Sequence, residues 1–293
     1  PYYITPSAIN SGGSVYLTST QAGTGRISIG VVPDFDDNAW NNPQPTGSVV
    51  NPVIQAGASV VMTADRIEIA NDGSNNEPGL LSPALVAANT SSGRVVLQPL
   101  TAGTAIILGE TKGAGFNFTV TELQNIQANV LQIGNSTAGP ITVDALVDLT
   151  NPSYYPARLP GALSLISGGS IMDNGPTTGI QYAGGLRLSA NGVISFESPL
   201  NDFGTVAAYS NGNDITLTSG PFSIATPSNP VDGLYGIDGS TITGSTTVAS
   251  SRIVLQPNTG GSTVTITQHG GSADWTERCL GLRHHHDCRC LGF

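Results

Sequence analysis

The sequence predicts an all-β chain built as a parallel β-helix, a solenoid of short strands with loop or helical-turn insertions. Three observations carry this. Only 10% of the 293 residues are charged, against about 25% in an average domain, while small and β-branched residues crowd the chain. Apolar and small polar residues alternate over five to eight positions, bounded by Gly, Asn, Pro or Ser, which is the pattern of a strand with one buried face. A block of the same pattern recurs far along the chain. The hydrophobic content of 39% supplies enough apolar surface for a core, which a disordered low-complexity tract would lack.

The alternation places strands at 14–18, 26–31, 59–69, 94–98, 104–108, 116–120, 129–133, 141–147 and 162–166. It continues at 185–189, 192–196, 214–218, 252–256 and 263–267. The segment 119–130 (TVTELQNIQANV) has helical character instead. Leu123, Ile126 and Val130 can share a face there, and Thr119 with Glu122 has the spacing of a capping box. It is expected to form a helical turn that protrudes from, or caps, one strand layer.

The repeat is R-V-V-L-Q-P at 94–99, matched by R-I-V-L-Q-P at 252–257, each with a trailing T-x-G. Leu97 aligns with Leu255, an offset of 158 residues (255 − 97). That is too long for one coil, and points to a duplicated unit of several coils. The expected organisation is coils over 1–56 with a loop insertion near 33–52, one repeat copy over 57–248, the start of a second over 249–270, and an aberrant tail over 271–293. In such a solenoid Val, Ile and Leu stack inward, Ser, Thr, Asn and Gln face out, and Gly and Asn turn the corners. Coils of about 20 to 25 residues would give about a dozen turns, and a rod on the order of 55 to 60 Å at the usual strand spacing.

These blocks resemble the large exoproteins of the filamentous haemagglutinin type found in Gram-negative bacteria. The resemblance rests on TADRIEI at 63–69, RVVLQPLTAGTAIILG at 94–109, TELQNIQANVLQIGN at 121–135, LSLISGGSI at 163–171 and NDFGTVAA at 201–208. It spans about residues 57 to 268. It implies a right-handed parallel β-helix, export across both membranes through an outer-membrane secretion partner, and service as an adhesive or contact-making rod at the cell surface. The partners implied are host or environmental glycans or proteins. The family's N-terminal secretion motifs are not among these residues, so both two-partner secretion and autotransport stay open.

Charge excludes some functions. The formal net charge is −10 and Lys112 is the only lysine, so no basic patch offers counterion release on nucleic acid or an anionic membrane. No apolar run is long enough to span a bilayer, and neither a membrane span nor a signal peptide is expected within this piece. The chain opens Pro-Tyr-Tyr and is expected to be an internal piece of a longer protein. All three cysteines, Cys279, Cys288 and Cys290, lie in the last fifteen residues, and a cysteine-free body suits export.

The sequence predicts no catalytic, cofactor-binding or metal site and no cofactor, and each tempting group has a plainer reading. The tail gathers His284, His285, His286, Asp287, Cys288 and Cys290, but adjacent histidines point in different directions, a poor fit to tetrahedral zinc. A shifted reading frame explains its foreign composition better, with a disordered end as a second reading and metal binding as a third. Asp34, Asp36, Asp37 and Trp40 have the chemistry for calcium or a sugar ring, yet lack the spacing of known calcium loops and read as a solvated insertion. Residues 71–79 (NDGSNNEPG) read as a turn-rich loop.

Tyr154 and Tyr155, with Tyr182, would make an exposed aromatic strip for glycan contact, or serve structure. His269 has no partner in sequence. No nucleophile elbow, zinc helix or phosphate loop occurs. The expectation is therefore a structural and adhesive shaft rather than an enzyme, with a polysaccharide-binding or polysaccharide-cleaving β-helix of lyase or tailspike type as the alternative. The latter requires several carboxylates converging on one face. A surface-layer or matrix role is not separable from adhesion by sequence.

Overall fold

The computed structural model describes residues 2–4, 9–29, 53–69, 85–88, 91–109, 115–150 and 161–238, together with the strands 241–243, 246–248, 253–257 and 264–265. The chain is all-β, its strands gathered in long parallel sheets.

The first sheet has eleven strands. Nine of them follow in series: Val15–Thr18, Ser59–Thr63, Arg94–Gln98, Val130–Gly134, Ala162–Ser167, Gly179–Ala190, Asp202–Ser210, Phe222–Ile224 and Val264–Thr265. Leu146–Asp148 and Ile237–Asp238 pair alongside. The second sheet has seven strands in the order Phe116–Phe118, Ile106–Leu108, Ile141–Val143, Ile171–Asp173, Ile194–Phe196, Ile215–Ser219 and Ile253–Pro257. A third joins Ile126–Gln127, Leu85–Ala88, Val53–Ala56 and Ile9–Ser11, and a fourth joins Tyr2–Ile4, Arg26–Ile29 and Arg66–Ile69. Among the described residues every strand pairing in these four sheets is parallel, and Thr241–Thr243 with Thr246–Val248 forms a separate antiparallel pair.

Register explains the core. Ile106, Ile141, Ile171, Ile194, Ile215 and Ile253 are successive partners across the second sheet. In the first sheet Val15, Val60, Val95, Leu131, Leu163, Leu186 and Val206 form one inward row, and Leu17, Met62, Leu97, Ile133, Leu165, Leu188 and Ala208 another. Nearly all are buried in one continuous cluster. Side chains of equal shape at equal height leave few voids, so each row contributes packing along its whole length. Near one end Phe196, Phe203 and Phe222 continue the core edge to face, with ring centroids 5.7 and 6.2 Å apart.

The spacing along the chain differs from the expected 20 to 25 residues. It takes 45 residues to pass from Val15 to its partner Val60 (60 − 15) and 20 from Leu186 to Val206 (206 − 186). Among the described residues nine strands follow in series where about a dozen coils were expected, because the number of residues between paired strands varies while the inward rows stay aligned, with one register shift between Tyr182 and Gly185. The two R-x-V-L-Q-P blocks also differ in place. Leu97 pairs with Met62 and Ile133 in the first sheet, whereas Leu255 pairs with Leu217 in the second. The shared pattern is that of a strand with one buried face, and any parallel sheet accepts it.

The helical turn forms over Val120–Gln124, with Thr119 and Glu122 completing the capping box. Glu122 is fully buried and its Oε1 also accepts the Ile69 amide at 3.1 Å, so the turn is tied to the fourth sheet rather than protruding. Corners use glycine rather than asparagine. Among the described residues the only other positive φ is at Asp232. At Gly134, φ is 83° and an added Cβ would stand 2.2 Å from the Ile166 carbonyl oxygen, so no other residue fits there.

Ile171→Ala, which empties one rung of the isoleucine row, is expected to lower stability by about 2–5 kcal/mol. Met172→Ala, one residue along on the outward side, should cost under about 1 kcal/mol. Urea unfolding of the two variants checks the facing assigned to this strand.

Candidate functional site

Most of the groups singled out in the sequence, namely Asp34, Asp36, Asp37, Trp40, residues 71–79, Tyr154, Tyr155, His269 and His284–Cys290, lie outside the described residues. Tyr182 is described, and of the two readings offered for it, an exposed strip or a structural role, it takes the structural one. Its ring is 1% exposed and burial pushes its phenol upward, so it belongs to the core and offers nothing to a sugar. The reason is its phase, since Ile180 and Tyr182 fall on the inward side of Gly179–Ala190.

Several of the described charged residues tie strands and turns together. Asp65 is buried at a bend, where its carboxylate accepts the Gly23 amide, the Thr101 amide at 2.7 Å and the Thr101 hydroxyl at 2.7 Å. It thereby joins three turns far apart in sequence. Burial alone would raise its pKa, but the hydrogen bonds from Thr101 and Gly23 outweigh burial and hold it below the usual carboxylate value. Asp173 anchors another corner, accepting the amides of Glu197 at 3.2 Å and Ser198 at 2.8 Å and the Asn201 side-chain amide at 2.9 Å. Glu68 is buried in the fourth sheet, paired with Arg26 and with Arg66 and accepting the Ser28 hydroxyl at 3.1 Å.

The most developed constellation lies on the outward face of the first sheet. Residues 225–238 leave strand Phe222–Ile224, fold through two tight turns and return to the sheet at Ile237–Asp238. Val231 and Leu234 exchange amide-to-carbonyl bonds of 2.8 and 2.9 Å around Asp232 and Gly233. Both central residues have positive φ, 48° and 78°, the requirement of a type I′ turn, for which Asp-Gly is a favoured pair. The base is held by Ala225 N to Val206 O at 2.8 Å and Ala208 N to Gly236 O at 3.0 Å.

This hairpin lies across the sheet. Val231 and Leu234 pack on Val130, Ala162 and Ala207, which face outward from three different strands. Gly185 makes room for it, since a Cβ there would stand 2.9 Å from a Val231 methyl. At the tip Asp232 meets two arginines. Both terminal nitrogens of Arg94 donate to its carboxylate, one of them to Oδ2 at 3.1 Å, and Arg187 Nη1 donates to its main-chain oxygen at 2.9 Å and to Oδ2 at 3.3 Å. Arg94 Nη1 is also steered by Gln132 Oε1 at 2.9 Å. Burial would raise the Asp232 pKa, and the guanidinium of Arg94, helped by Arg187, holds it below the usual carboxylate range.

Sequence reasoning missed this site because nothing in 225–238 alternates. Its signal was turn chemistry, Asn229-Pro230 and Asp232-Gly233 around two isolated apolar residues. Among the described residues no three His, Cys, Asp or Glu side chains gather as a metal site would require, and no helix is long and apolar enough to cross a membrane. No protein-family model, curated protein or solved structure matches the chain.

Asp65→Asn is expected to cost about 1–3 kcal/mol near neutral pH, because two amides and a hydroxyl lose an ionised acceptor. A lowered folded pKa contributes stability that is full above the unfolded value of about 3.9 and is lost as pH falls through the folded value. The gap between wild type and variant should therefore narrow below about pH 4, as followed by chemical unfolding at several pH values.

Proposed function

We propose that the chain is a shaft segment of a secreted bacterial surface exoprotein, its sheets forming the faces of a right-handed parallel β-helix that mediates contact or attachment at the cell surface. The observation that carries the solenoid is the order of the strands. First-sheet and second-sheet strands alternate along the sequence, as in Arg94–Gln98 then Ile106–Leu108, Val130–Gly134 then Ile141–Val143, and Ala162–Ser167 then Ile171–Asp173. Each returns to pair in parallel with its predecessor. A chain that visits the same faces in the same order on each circuit winds as a coil.

The adhesive and secreted parts of the reading rest on the resemblance of the blocks between 57 and 268 to filamentous haemagglutinin-type exoproteins. The cell-surface setting also agrees with a long cysteine-free body and few charges. An enzyme of the lyase or tailspike class is the competing reading, and it requires carboxylates free to converge on a substrate. Asp65, Asp173 and Asp232 are each committed to tying turns or strands together.

An antibody raised against this segment, applied to intact cells that produce the protein, is expected to label their surface under immunogold electron microscopy. Label confined to the interior of permeabilised cells would contradict the shaft reading. Incubation of the purified chain with acidic and neutral polysaccharides should release no new reducing ends or unsaturated products. Turnover would favour the enzyme.

A further inference from the structure

The Arg94, Asp232 and Arg187 constellation does more than a surface ion pair requires. Both arginines stand on strands in the interior of the first sheet, and Arg94 is oriented by Gln132 on the next strand. Between Gln132 and Arg187 in the same outward row is Ser164, fully buried, its hydroxyl lying against Asp232 without completing a hydrogen bond. The cationic half of the arrangement is therefore built into the rigid part of the molecule. The carboxylate is carried on a two-residue turn, held by a few backbone bonds at its base and a small apolar contact.

A fork of terminal nitrogens on both oxygens of a carboxylate is the arrangement by which arginine recognises a carboxylate ligand. The surroundings suit a sugar. Gln132, Ser164 and Ser189 present amide and hydroxyl groups outward on neighbouring strands, and Tyr209, partly exposed, is two residues beyond Ala207, the partner of Arg187. Strand-spaced polar groups beside an aromatic ring match ring hydroxyls and an apolar sugar face.

We propose that Arg94 and Arg187, with Gln132 and Ser164, form a binding site for the carboxylate of an acidic sugar of the uronic acid class, which the Asp232 hairpin covers and occupies. The Asp232 carboxylate stands in for the ligand's. A saccharide binds by displacing the hairpin tip, so its apparent affinity is reduced by the fraction of molecules in which the cover is closed. This goes beyond the shaft reading and does not rest on it, since a surface rod and an enzyme could both use such a site.

Titration calorimetry of the full chain with tetragalacturonate, and with maltotetraose as the neutral control, tests it. Asp232→Gly removes the internal carboxylate at a position whose positive φ suits glycine. It should bind tetragalacturonate at least about tenfold more tightly than wild type, and adding Arg94→Gln should abolish the gain. Equal affinity of wild type and Asp232→Gly, a gain that survives Arg94→Gln, or equal binding of maltotetraose would overturn the proposal. Should Asp232→Gly fail to fold, wild type decides. The amides of Val231 and Leu234 should then exchange with solvent faster at high tetragalacturonate, and unchanged exchange would overturn the displaceable cover.

Discussion

Everything in this molecule depends on parallel strands stacking in register, so that residues of like shape meet at the same height from one strand to the next. Six isoleucines in the second sheet and two inward rows in the first are the physical content of that constraint. A slip of one residue in any strand would turn its apolar side chains outward and bring polar ones in. The backbone reinforces the demand. Each strand finds its hydrogen-bond partners on the strands before and after it, so it satisfies its amides only in company.

Once register is fixed, the rest of the chain is free to vary. The interval between paired residues along the first sheet varies from 45 (Val15 to Val60) to 18 (Val206 to Ile224), and is 42 at the last described pair (Phe222 to Val264). Charge appears where a turn needs an anchor, as at Asp65 and Asp173, or where a segment crosses the outward face, as at Asp232. The hairpin of residues 225–238 is the described feature that departs from this economy, because it lays apolar side chains and a carboxylate on a face that would otherwise meet solvent.

Most strands of the first two sheets were legible in the sequence because they alternate for several residues and end at glycine or a polar corner, whereas Ile171–Asp173, Asp202–Ser210 and Phe222–Ile224 were not among the expected strands. The capping box of Thr119 and Glu122 was legible for the same local reason. The third sheet was not. Its strands INS, VIQA, LVAA and IQ are two to four residues long, too short to show a period, and Leu85–Ala88 is apolar throughout. Residues 59–69 read as one strand but form two, Ser59–Thr63 and Arg66–Ile69. The inward residues pass from Val60 and Met62 to Ile67 and Ile69, so the alternation changes phase at the bend marked by Asp65. The Arg94 to Asp232 tie joins residues 138 apart, a pairing that local pattern has no means to show.

A double-mutant cycle between Ile171 and Ile194, direct partners in the second sheet, tests the in-register stack most directly. Truncation of both to alanine should show a coupling of about 0.5–3 kcal/mol, whereas Ile171 with Ile253, three strands away, should be additive within about 0.5 kcal/mol. Additivity at Ile171 and Ile194, or equal coupling for both pairs, would contradict the register on which the whole account stands.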